Sequence, residues 1–222
     1  ISLSGGKRVF QFNNNSPIGE RGNTLSSLLS EENRIKSYEA VYLRSSYRIS
    51  LGQGFLITAG FQYQDRRPLD NRTNYTWRDR ADKEYTPNYP NEIVNENISP
   101  HKVFYSLLGI NWQPGARYIE LPDRKINIGS KYPVFSLQYI RSFDGFLGSD
   151  ADFSKWRFSV SDNINLKLRG LFRYRLSMGG FIDNDKVQLP DYNHFNGNIS
   201  TFATEYLNSF QLLPIYQFSN TS

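Results

Sequence analysis

Cysteine is absent from the 222 residues. Disulfides, thiolate metal centres and a cysteine nucleophile are thereby excluded, while the compartment stays open. Histidine occurs only at His101 and His194, with no His-x-x-x-His spacing, so transition-metal chemistry lacks its usual ligand set. No Gly-Lys-Ser/Thr run is present to cradle a phosphate. Long apolar runs are missing too: mean hydropathy is -0.57, and no stretch approaches the ~18 consecutive apolar residues of a membrane helix. The net charge of +5 suggests nucleic acid only superficially. Lys and Arg are interleaved with Asp and Glu, and no basic run occurs. Nucleic acid is therefore not an expected partner, and an anionic lipid surface suits this charge better.

Aromatic residues are plentiful, at 15% of the chain. Two long stretches, Ile35 to Leu51 and Phe55 to Arg66, alternate apolar and polar side chains across Gly52-Gln53-Gly54. Alternation sorts a strand into two faces. In the first stretch, Ile35, Val41, Leu43, Tyr47, Ile49 and Leu51 oppose Lys36, Tyr38, Ala40, Tyr42, Arg44 and Arg48. In the second, Phe55, Ile57, Ala59, Phe61 and Tyr63 oppose Thr58, Gly60, Gln62 and Gln64. Soluble strands average about five or six residues, whereas a tilted membrane strand needs about nine to eleven. These runs are long enough to cross a bilayer.

Strand-like sequence covers Lys7–Asn13, Ile35–Leu51, Phe55–Arg66, Val103–Trp112, Val134–Ser142, Phe153–Leu168, Leu171–Met178 and Leu207–Phe218. In the sixth segment Trp156, Phe158, Val160, Ile164, Leu166 and Leu168 oppose Arg157, Ser159, Ser161, Asn163 and Lys167. In the seventh, Phe172, Tyr174, Leu176 and Met178 oppose Arg173, Arg175 and Ser177. Connections are tight at Gly52–Gly54 and near Arg169-Gly170. They are long at Asn14–Arg34, Arg67–Lys102, Phe143–Asp152 and Gly179–Tyr206. All long loops then leave from one end, except Gln113–Pro133, which is long on the tight side. It is expected to be an inward fold or a sign of a misplaced strand. The pattern predicts an all-β fold: a transmembrane antiparallel β-barrel with long outer loops and mostly short periplasmic turns. Arg67–Lys102, with Tyr75, Trp77, Tyr85 and Tyr89, is expected to cap the barrel rather than bind a specific ligand.

Several runs resemble a Bacteroidota outer-membrane family whose members carry a carboxypeptidase-regulatory-like domain before a barrel of unknown function. The runs are Gly6–Asn13, Tyr63–Asn71, Lys125–Pro133, Asp152–Trp156, Leu189–Asn198 and Ser209–Tyr216. The resemblance implies a bacterial outer-membrane location. Residues 1–222 would then be part of one barrel domain, with the regulatory-like domain and the C-terminal strands lying outside this chain. A second likeness, to the outer-membrane assembly and translocation barrels, implies a central segment of a sixteen-stranded barrel. It marks Pro190, Asp191, His194, Phe195 and Gly197 as a loop folded into the lumen. The Arg-Gly tip of those barrels is lacking, which argues against insertase activity.

Catalytic candidates are few. His194, Asp191, Tyr192, Ser200 and Ser209 cluster loosely but sit in no nucleophile-elbow sequence, so His194 is expected to serve its own turn. Asp144, Asp150 and Asp152 lack the later glutamate of a calcium loop. Gly179-Gly180 is read as a turn. Arg157, Lys167, Arg173 and Arg175 are expected to face the lumen, paired with loop carboxylates that hold a plug closed. The alternative is a basic wall that selects anionic solutes. The expected function is non-enzymatic and cofactor-free: a membrane scaffold or assembly/transport component. Its partners would be outer-membrane lipid, lipopolysaccharide and other envelope subunits. An insertase or translocation pore and a soluble secreted glycan-binding β-sandwich stand as alternatives.

Overall fold

The computed structural model describes residues 1–15, 18–78, 82, 84–122, 125–199 and 209–221, without the side chains of residues 125, 127 and 211. In chain order the elements are β1 (Ser2–Gln11), α1 (Glu20–Ser30), β2 (Ser37–Gly52), β3 (Phe55–Pro68) and β4 (His101–Trp112). They continue with β5 (Arg117–Glu120), β6 (Lys125–Gly129), β7 (Val134–Ser142), β8 (Asp152–Asn165) and β9 (Leu171–Lys186). Four two-residue strands follow: β10 (Asn193–His194), β11 (Gly197–Asn198), β12 (Phe210–Gln211) and β13 (Ser219–Asn220). The fold is all-β around a seven-stranded antiparallel sheet, ordered β1-β2-β3-β4-β7-β8-β9.

Strand lengths follow from the alternation: β2 and β9 each run 16 residues, and β3 and β8 run 14. The β2–β3 turn uses positive φ at Gly52, Gln53 and Gly54. A Cβ at Gly54 would stand 1.9 Å from the Gln113 carbonyl oxygen, so glycine is needed there.

The structure corrects several readings. The long Gln113–Pro133 connection does not mark a misplaced strand. It holds the β5–β6 hairpin on the tight-turn side, and β4 and β7 remain antiparallel neighbours. Gly179 and Gly180 lie inside β9, which runs on to Lys186. A side chain at Gly179 would stand 2.5 Å from the Trp156 carbonyl oxygen. β8 ends at Asn165, so Leu166, Lys167 and Leu168 belong to the turn. Leu207 and Asn208 fall outside the described residues, and in the rest of the eighth segment only Phe210–Gln211 is a strand. Asn14–Arg34 contains α1, which no sequence signal marked: its N-cap is Gly19, with no side-chain cap.

Register carries one continuous apolar face across the sheet. One row reads Ile49, Ile57, Ile110, Leu137, Phe158 and Met178. Next to it, Phe55, Trp112 and Phe135 form an aromatic run, with ring centroids 5.2 and 5.7 Å apart. Among the described residues this face is largely uncovered, with Phe143 and Phe146 packing on Phe104 at its edge. Leu43 is 54% exposed, Phe61 57%, Leu176 67% and Met178 61%. The hydrophobic cluster lies on the opposite face, at the long-loop end. There Tyr38 and Ala40 of β2 pack with Phe12, Ile18, Ile98, Leu189, Ile215 and Tyr216. A soluble sandwich buries its apolar face; here the loops gather on the polar one.

Candidate functional site: a capping segment on a basic wall

The strand face opposite the apolar one is basic. Alternation and register place Arg8, Arg44, Arg48, Arg66, Lys155, Arg157, Arg173 and Arg175 on it. Among the described residues, the paired positions of this face carry no Asp or Glu from the tight turns up to Arg66 and Lys155. Glu39, Asp65 and Asp162 alternate onto the apolar side. Of the four residues expected on this wall, Arg157, Arg173 and Arg175 are there. Lys167 is not: it sits in the β8–β9 turn with φ 57°.

Asp191 reaches the wall from outside the sheet. Pro190 and Asp191 form a short 3-10 turn, Leu189–Asp191. Asp191 accepts two hydrogen bonds from Arg66, Nη1 at 2.6 Å and Nη2 at 2.9 Å. Both side chains are almost fully buried. Arg66 also donates from Nε to Gln64 Oε1 at 2.7 Å and stacks over the Tyr38 ring. Lys155, flanked by the Phe153 and Phe181 rings, donates to the Asp191 carbonyl oxygen at 2.6 Å. Burial pushes the Asp191 carboxyl upward. The adjacent Arg66, by charge and hydrogen bond, outweighs this and holds it below the ordinary carboxylate range.

His194 has its Nε2 3.1 Å from the Leu189 carbonyl oxygen and its Nδ1 2.8 Å from Ser219 Oγ. Burial lowers its pKa to about 4, so it is a neutral structural group near pH 7. Asn13 and Asn15 donate to Asn196 Oδ1 at 2.8 and 3.2 Å. Gly197 pairs with Phe210 on β12, and a Cβ there would meet the Pro214 carbonyl oxygen at 1.9 Å. The expectation of a folded-in loop thus maps onto a segment lying on the polar face. Pro190, Asp191, His194 and Gly197 are buried in it, and Phe195 is exposed.

The other long loops pack beside this segment. Asn88 of the Arg67–Lys102 loop donates to the Ser37 and Leu69 carbonyls. Lys36 Nζ donates to the Pro87 carbonyl at 2.5 Å, and burial lowers its pKa to about 8. Ile93, Val94 and Ile98 of that loop join the hydrophobic cluster, while Tyr75 and Trp77 are exposed.

Among the described residues, the catalytic and metal candidates do not assemble. Ser200 is outside the described residues. Ser219, not Ser209, meets His194, while Asp191 is turned to Arg66. Asp144 pairs with Lys186, Asp150 accepts from the Lys102 backbone, and Asp152 lies 2.8 Å from Arg141 Nη2.

Sequence reading missed Arg66 and Lys155 as anchors of this site. Arg66 does occupy the position after Gln62 and Gln64 in the polar alternation, which is the available signal. Nothing local announces that Asp191 is its partner, 125 residues away.

The model of the C-terminal domain of a family of unknown function, DUF5686, matches residues 1–222. No curated protein and no solved structure matches the chain.

Proposed function

We propose, from the premise that this chain belongs to the DUF5686 C-terminal domain family over its whole length, that it is wall and plug of an outer-membrane β-barrel. The observation that carries this reading is the inverted sheet: its apolar face is bare and its charged face is capped. A bare apolar surface of this extent in water marks a contact with lipid or protein.

The dimensions agree with lipid. On β3 the apolar face runs from Phe55 to the first charge at Asp65, ten positions. That is about 34 Å along the strand, or about 26 Å across a bilayer at a tilt near 40°. Barrels of this class present an apolar band about 25 Å tall between aromatic girdles. The charged border also crosses the hydrogen-bond rows obliquely. Lys7, Asp65 and Lys102 share one row, whereas Arg141 on β7 is charged four positions nearer the tight turns. At the other border, Ile164 and Phe172 lie four positions beyond Val160 and Leu176, with Asp162 between them opposite Tyr174. An oblique band is what tilted strands require.

The seven strands alternate in direction, so β1 and β9 run parallel. Closing the wall with antiparallel pairs takes an odd number of further strands, in keeping with an even-stranded barrel of Bacteroidota outer-membrane type. The role is non-enzymatic: a scaffold or transport component that contacts outer-membrane lipid, lipopolysaccharide and envelope subunits. Electrophoretic mobility of the full-length polypeptide tests it. A closed barrel migrates differently before and after boiling and needs detergent to stay monodisperse. A monodisperse product without detergent overturns the proposal.

A further inference from the structure

The basic face has more cations than the capping segment uses. Arg66 pairs with the Asp191 carboxylate, and Lys155 donates to the Asp191 backbone carbonyl oxygen. Arg44 and Arg157 have no ion-pair partner among the described residues, and both line cavities beneath the capping segment. One cavity, about 340 Å³, is bounded by Arg44, Gln62, Gln64, Arg66, Tyr105 and Asp191. Its neighbour, about 230 Å³, is bounded by Asn13, Asn15, Lys155, Arg157, Tyr192 and His194. Asn14 and Gln138 border both.

The spacing is that of a ladder. Lys155 and Arg157 lie two positions apart on β8, about 7 Å. Arg44 is paired with Gln62, which stands four positions from Arg66 on the same face, about 13 Å. Amide side chains lie between the cations and supply neutral donors and acceptors. A wall with this pattern suits an extended solute carrying several oxyanions, with polar groups between them.

We propose that the two cavities form one binding site for a multivalent anionic solute bearing carboxylate or phosphate groups. Asp191 is the resident occupant of one of its positions. The grip already visible on the Asp191 carboxylate, a bidentate guanidinium, is the recognition the site offers to an incoming anion, with the Lys155 ammonium beside it on the Asp191 carbonyl oxygen. A solute engaging Arg44 and Arg157 adds the two cations that Asp191 does not reach. This reading rests on the barrel proposal, because the wall faces an enclosed lumen only if the sheet closes.

The test uses the full-length polypeptide in nonionic detergent, titrated calorimetrically with tripolyphosphate, trigalacturonate and the neutral trisaccharide maltotriose. The site predicts saturable binding of at least one polyanion, none of maltotriose, and weakening at high salt. The relative affinities of tripolyphosphate and trigalacturonate tell phosphate from carboxylate. The double variant Arg44→Gln/Arg157→Gln loses about tenfold or more in affinity, whereas Arg169→Gln, in the β8–β9 turn, binds as the parent does. Each variant is first checked for the parent's heat-modifiable mobility. A heat-modifiable protein that binds neither polyanion, or a folded double variant of unchanged affinity, overturns the site and leaves the barrel standing. A protein that is monodisperse without detergent overturns both.

Discussion

Arg66 on β3 and Asp191 in the capping segment form a two-point ion pair, at 2.6 and 2.9 Å, across 125 residues of sequence. It joins a strand to a loop through groups that water barely reaches. The pairing of a buried guanidinium is a dependence: with Asp191 in place the charge is neutralised, and without it the charge is stranded.

Asp191→Ala should therefore loosen the cap strongly, by about 3–5 kcal/mol, as expected when one partner of a buried pair is removed. Arg66→Met/Asp191→Leu should cost less than Asp191→Ala alone, since no unpaired charge remains. Limited proteolysis across residues 187–199 and denaturant midpoints measure both. Equal losses in the single and double variants would show that the pair does not act as a unit.

Acid should release the cap through His194. Its folded pKa of about 4 lies below the ordinary 6.5, so the unfolded segment takes up a proton first as pH falls. The contribution is complete above about pH 6.5, declines from there, and is lost through pH 4, up to about 3 kcal/mol. Asp191, also held low, adds acid sensitivity only below its ordinary value of 3.8. His194→Gln should flatten the loss between pH 6.5 and 4 while leaving the lower limb. A proteolysis-versus-pH profile reads this directly.

Gly197→Ala should be disruptive out of proportion to one methyl group. The added carbon meets the Pro214 carbonyl oxygen at 1.9 Å, and the Leu213 carbonyl lies 3.0 Å away. Backbone has to move, at a cost of about 1–3 kcal/mol or more. The expected readout is a lower unfolding midpoint with cleavage near residues 209–216. Gly109→Ala, whose added carbon would meet nothing closer than Thr58 Cβ at 3.8 Å, serves as the uncrowded comparison.

Met178→Arg separates lipid from water as the solvent of the apolar face. Met178 is 61% exposed in mid-band. Facing water, an arginine there is nearly neutral; facing hydrocarbon at mid-bilayer it costs about 2–4 kcal/mol. Folding yield into lipid vesicles, scored by heat-modifiable mobility, should drop clearly for Met178→Arg. Arg169→Gln should leave it unchanged.

Much of the sheet was readable because its faces differ so sharply. Val41-Leu43 against Tyr42-Arg44, and Leu176-Met178 against Arg175-Ser177, declare two environments within a few residues. The long strands therefore emerged, although β1 begins five residues before Lys7 and β9 ends eight residues beyond Met178. The errors have physical causes. β9 runs through Gly179-Gly180 because the strand passes close to Trp156, a reason that a glycine pair does not advertise. Lys167 extends the alternation of β8 by inertia, although its backbone has already turned. The stretch around Ile215 and Tyr216 looks like a strand because it is apolar, yet it is consumed by the core under the cap.

By itself the sequence determined the periodicity: long antiparallel strands, one oily side, one basic side, tight turns at one end. Side chains two apart share a face whatever else the chain does, so local order suffices for that much. Only the tertiary structure decided which side is covered and by what. The meeting of Asp191 with Arg66, of His194 with Ser219 and of Gly197 with Pro214 depends on loops folding back across the sheet. Contacts between residues so far apart leave no local pattern, because they are selected by the geometry of the whole fold.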